Sequence, residues 1–136
     1  MAAPESRPRG RPLSPHLQVY RWQVQMMTSI LHRATGIALV VGALALVWGL
    51  VALAAGPERW NDFTACVGAP LGKLVLFAFS WALAYHLLNG IRHLVQDAGH
   101  GFAIPEFVRS SWVSIIGSLL LVIVVWAIVL VRWGQA

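Results

Sequence analysis

Charge is what this sequence has least of. Of its 136 residues only 11% are Asp, Glu, Lys or Arg, while 58% are hydrophobic, a balance that excludes an ordinary soluble domain. There is one cysteine, Cys66, which excludes an internal disulfide and any cysteine-built metal site. No internal repeat is present. The formal charge of +5 does not make a nucleic-acid footprint, because the arginines lie before and between greasy stretches and form no basic stripe interleaved with exposed aromatics.

Three stretches have no Lys, Arg, Asp or Glu at all: Ala34 to Pro57, Leu74 to Ile91 and Ser110 to Val131. Each approaches the roughly 20 residues that a helix rising about 1.5 Å per residue needs to cross a hydrocarbon core of about 30 Å. The expected fold class is therefore an all-α integral membrane protein with three transmembrane helices, at about 28–55, 69–97 and 108–133. Residues 1–24 read as an N-terminal cytoplasmic and interfacial segment, and 25–136 as the transmembrane domain. "AGPERWND" supplies the Gly and Pro that stop the first helix, Trp60 marks the far interface, and Pro105 reads as a turn before the third helix. Gly117 and Ser118 suit a close helix contact on that third helix. The first span is too long for a signal-peptide core and lacks a small-residue cleavage pattern. Arg7, Arg9, Arg11, Arg21, Arg92 and Arg109 flank one side of the spans, and only Arg59, Lys73 and Arg132 the other, so the N-terminus and the second loop are expected in the cytoplasm. A short N-terminus without a long transit peptide favours a bacterial plasma (inner) membrane over a mitochondrial one. With only three spans, partner helices are expected.

Two polar clusters interrupt the greasy background. On the second helix His86, Gly90, His93 and Asp97 fall within an arc of about 60° at 100° per residue. His86 lies roughly 10 Å inside the cytoplasmic end of that helix, and His93, Arg92 and Asp97 form a wetter rim. An imidazole at that depth needs a partner: haem iron, for which it is a good axial ligand, or a hydrogen bond to a neighbouring helix. Gly90 removes a side chain where a flat macrocycle would lie. On the first helix Ser29, His32, Arg33 and Gly36 share one face, and either Arg33 snorkels to headgroups or the set supplies donors to a quinone carbonyl or a haem propionate. His86 and His93 project from the same face and cannot hold one iron from opposite sides, so a six-coordinate haem takes its second ligand from another subunit. No role follows from the sequence for His16 or His100.

The segments "RPLSPHLQVYRWQVQMMTSILHRATG", Arg11 to Gly36, and "HLLNGIRHLVQD", His86 to Asp97, resemble the two signature motifs of the cytochrome b subunit of succinate dehydrogenase, respiratory complex II. Gln96 stands where an aromatic or Met is more usual in that family. The resemblance implies a heterodimeric, haem-binding helix bundle in which His86 is one axial ligand of a b-type haem and a second small membrane-anchor subunit supplies the other. It implies that Ser29 and Arg33 help bind ubiquinone, and that His32, Arg33 and His93 lie near the haem propionates. Electrons would come from succinate through a flavoprotein and an iron-sulfur subunit docked on the cytoplasmic face, with the succinate chemistry outside this chain. His93 and Asp97 are candidates for a proton path. Two competing readings remain at this level: a haem-free, quinone-binding anchor, and a small proton-conducting subunit in which His86, His93 and Asp97 form a relay.

Overall fold

The structure, a computed structural model, describes residues 21–133; His16 and most of the N-terminal segment fall outside the described residues. Four helices follow one another: α1 (Val24–Ala55), α2 (Pro57–Gly68), α3 (Pro70–Asp97) and α4 (Ile104–Trp133). Three of them, α1, α3 and α4, are long and apolar enough to cross a membrane. At 32, 28 and 30 residues they run about 42–48 Å, which carries them through the hydrocarbon and into the headgroup layers.

Two prolines explain where the structure departs from the sequence reading. Pro57 and Pro105 look like breakers but open helices. The missing N–H of proline falls among donors that a first turn leaves unpaired anyway, and its fixed φ suits that position. Pro57 starts α2 directly after α1, with Gly56 at φ 111° making the corner. Pro105 is the second residue of α4, which therefore begins at Ile104, not near 108. The twelve-residue α2 was not foreseen at all, although Trp60, Phe63 and Val67 are its half-buried positions and their spacing of three and four is helical. At the other end of the bundle α3 closes in a Schellman turn. The amides of Gly99 and His100 bond to the carbonyls of Gln96 and Val95 at 2.8 and 3.2 Å, with Gly99 at φ 85°.

What these helices bury is the inverse of a soluble core. The buried apolar residues are Ala52, Ala82, Ala84, Tyr85 and Val122, and the buried polar ones are Thr28, Thr35, Asn89, Arg92, Ser111, Ser114 and Ser118. Most Leu, Ile and Val point outward, as Ile37 and Leu71 do with 70% and 72% exposure. In lipid nothing is gained by hiding a leucine from its own kind, so small and polar residues make the helix contacts. On α1 the seam is Thr28, Thr35, Gly42 and Gly49, seven residues apart, the repeat that keeps a left-handed crossing in contact. Each rung has a partner: Thr28 accepts from the Tyr85 hydroxyl at its carbonyl (2.9 Å), Thr35 meets His86, a Cβ at Gly42 would overlap the Phe79 ring, and Gly49 faces Phe63 of α2. The α4 serines at 111, 114 and 118 return their protons to α4 carbonyls at 2.8–3.1 Å. They therefore present small, satisfied surfaces to the neighbouring helices.

Candidate functional site

The start of α1, the end of α3 and the start of α4 lie at one end of the bundle, and the polar side chains gather there. His86 sits eleven residues before the end of α3, a depth of about 16 Å along the helix. His32, about two turns inside α1, lies flat on it: the rings are 4.0 Å apart and 7° from parallel. His93 meets His32 edge to face at 4.9 Å. Gly36 lets His86 come this close, since a Cβ there would stand 3.3 Å from His86 Cε1, and Gly90 faces His32, 3.9 Å from its Cε1 by the same measure. Three imidazoles and two glycines of the sequence clusters are thus brought together.

A hydrogen-bonding neighbour bears on which nitrogen of His86 carries the proton. The Thr35 hydroxyl donates its one proton to the backbone of α1, at Leu31 O (2.8 Å) shared with His32 O (3.0 Å). With its proton on that backbone, its oxygen is placed to accept from His86 Nδ1, 3.3 Å away. His86 is then the Nδ1–H tautomer, with its Nε2 lone pair unused by any hydrogen bond among the described residues. That is the arrangement a metal-binding imidazole takes, one nitrogen held by an acceptor and the other offered to the metal. Thr35 escaped the sequence reading because a threonine carries no charge to flag it.

The rim differs from expectation. Arg92 is buried, with 7% exposure. Its Nε donates to Ser110 Oγ at 3.0 Å, its Nη1 to Asn89 Oδ1 at 3.4 Å, and its guanidinium lies 4.3 Å over the Phe107 ring. A position one residue round the helix from the histidine stripe turns Arg92 into the α3–α4 contact, not to the headgroups. Asp97 is exposed at the end of α3 and His100 exposed in the loop. Gln96 is half-buried.

The four-residue face on α1 divides. His32 and Gly36 turn to α3, while Ser29 is half-buried and Arg33 exposed on the outer flank. No hydrogen bond joins Ser29 or Arg33 to the imidazoles among the described residues. Nor does any group of three or more His, Cys, Asp or Glu among them have the arrangement to hold a metal ion unaided. A macrocyclic cofactor that brings four ligands of its own needs only one from this chain, and His86 Nε2 fits that demand. His32 does not fit as its counterpart, because axial imidazoles address one metal end-on from opposite sides and these two rings are stacked.

The family described as succinate dehydrogenase/fumarate reductase transmembrane subunit matches residues 7–125. The chain is similar to the succinate dehydrogenase cytochrome b556 subunit of Paracoccus denitrificans, 46% identical over 114 residues that make up 84% of this chain and 88% of that protein. It is similar to the b556 subunit of Rickettsia prowazekii at 40% identity over 116 residues, 85% of this chain and 90% of the relative. The human mitochondrial cytochrome b560 subunit shares 38% identity over 113 residues, 82% of this chain and 67% of the relative.

Proposed function

The chain belongs to the succinate dehydrogenase/fumarate reductase transmembrane subunit family, and on that premise we propose that it is a membrane anchor of succinate:ubiquinone oxidoreductase. In this reading it gives His86 as one axial ligand of a shared b-type haem and forms part of the ubiquinone reduction site. The observation that carries the haem reading is the contact of His86 Nδ1 with the Thr35 hydroxyl, itself seated on the α1 backbone, which makes Nε2 the nitrogen without a hydrogen-bond partner among the described residues. A second small membrane subunit supplies the other imidazole. A bound haem would supply one-electron storage beside the quinone. His32 and His93, packed against one another, line the same site, where imidazole N–H groups suit propionate oxygens.

Ubiquinone reduction takes two electrons and two protons, so its site must grip the carbonyl oxygens, hold developing negative charge and reach water. Arg33 donates to a carbonyl oxygen and stabilises that charge, and Ser29 adds a hydrogen bond where the dielectric is low. Both stand on the outer flank of α1, so a partner surface closes the site over them. His93 and the exposed Asp97 lead from this region toward the end of α3 and form a route for protons. The iron-sulfur and flavoprotein subunits dock at the same end, which faces the cytoplasm of a bacterial inner membrane by its arginine excess. Succinate is oxidised outside this chain.

A reduced-minus-oxidised absorption spectrum of the purified complex tests the haem reading. A b-type band is expected in the wild type and lost in His86→Ala. No band in the wild type removes the haem, leaving a haem-free quinone anchor, and a normal band in His86→Ala removes His86 as ligand.

A further inference from the structure

Asn89 is fully buried in α3, on the seam with Ala82, Tyr85 and Arg92, and no part of the haem or quinone reading uses it. Its two amide atoms face different partners: Oδ1 lies 3.4 Å from Arg92 Nη1, and Nδ2 lies 3.2 Å from His93 Nε2. An amide oxygen and nitrogen are told apart by their partners, and here one partner decides. A guanidinium has five N–H groups and no acceptor, so Asn89 must turn its oxygen to Arg92. Its NH2 group then meets His93, and an NH2 group can only donate. His93 Nε2 must therefore accept.

Arg92 is itself fixed from α4. The Ser110 hydroxyl donates to Phe107 O at 3.1 Å, so its lone pair receives Arg92 Nε–H at 3.0 Å. Phe107 packs against the guanidinium face at 4.3 Å. Arg92 donates both ways along the series Phe107 O, Ser110, Arg92, Asn89, His93, toward α4 through Ser110 and toward His93 through Asn89. We propose that Arg92, held by α4, sets the tautomer of His93 through Asn89, so that the imidazole carries its proton on Nδ1 and offers that N–H to the site. Arg92 and Asn89 are positioning residues in this scheme, and α4 acquires a part in the site without placing a side chain in it. The inference needs the imidazole cluster and not the haem.

The test is 15N NMR of the assembled complex, reduced, with histidine labelled in this subunit and His93 identified by difference against His93→Gln. The wild type is expected to show His93 with unprotonated Nε2 and protonated Nδ1. Asn89→Asp places a carboxylate between Arg92 and His93; it accepts from both, so Nε2 becomes a donor and the unprotonated Nε2 signal is lost. Retention of that signal in Asn89→Asp overturns the proposal. A wild-type His93 protonated at Nε2 overturns it with no α3–α4 variant required, should Asn89→Asp fail to assemble. A wild-type Nδ1–H signal in a complex lacking a b-type band sustains this inference while removing the haem reading.

Discussion

Replacing Thr35 by valine keeps the branched shape of a side chain that is 5% exposed and removes only its hydroxyl. His86 Nδ1–H then has no acceptor. Stranding a buried donor costs about 1–3 kcal/mol, and the 3.3 Å separation is at the long end for an N–H···O bond, which argues for the lower part of that range. Loss of the partner behind a metal-bound imidazole typically weakens metal binding about 10–100-fold, so about tenfold weaker haem retention is expected. The imidazole also becomes less electron-rich, which disfavours ferric iron and raises the reduction potential. At about 59 mV per tenfold change for one electron, that rise should not exceed about 60 mV. The assay is a redox titration of the b-type band together with haem content per complex. Thr35→Ser restores the hydroxyl and should restore both. Unchanged potential and haem content in Thr35→Val, or failure of Thr35→Ser to differ from it, would refute the reasoning that the hydroxyl holds His86.

Arg33→Ala and Ser29→Ala should each lower quinone reductase activity while succinate oxidation by an artificial acceptor persists; normal quinone kinetics in both would exclude these residues from the quinone site. Gly42→Leu should destabilise the assembled complex by about 1–3 kcal/mol through overpacking against Phe79, seen as a lower melting temperature in detergent. Because the two residues touch, Phe79→Ala in the same chain should recover part of the loss, and simple addition of two losses would show that the contact does not form. The exposed Arg59–Asp62 pair at 3.9 Å sits in solvent at i,i+3, so Arg59→Ala should leave thermal stability unchanged to within about 0.5 kcal/mol.

The three spans were legible because uncharged runs of bilayer length admit few other readings, and the succinate dehydrogenase motifs were legible because each fixes several polar positions at set spacings. The errors have one physical root. Gly56 and Pro57 do end α1 at Ala55 as the sequence suggests, but proline's compatibility with a first helical turn, at 57 and again at 105, depends on where the next helix starts, which a local reading cannot decide. Sequence suggests the rim for Arg92 because depth along a helix is visible in sequence and the neighbour across it is not. Its burial depends on Phe107 and Ser110, which belong to the next helix. The Ser29, His32, Arg33 and Gly36 face was real but wide enough to divide, its His32 and Gly36 half packing on α3 and its Arg33 edge left outside.

The α1–α3 seam also divides along its length, and the division separates orientation from cohesion. Thr28 and Thr35, at the site end, engage Tyr85 and His86 through hydrogen-bonding atoms; Gly42, farther along, engages an aromatic face by close approach alone. A glycine under a phenyl ring constrains distance and leaves no polar atom to aim. A hydroxyl whose proton is already committed constrains which nitrogen of an imidazole is protonated. Substitutions in the far half should therefore cost assembly while sparing the spectrum of complexes that do form. Substitutions of Thr35 should do the reverse, because shape there is easily conserved and the direction of a proton is not.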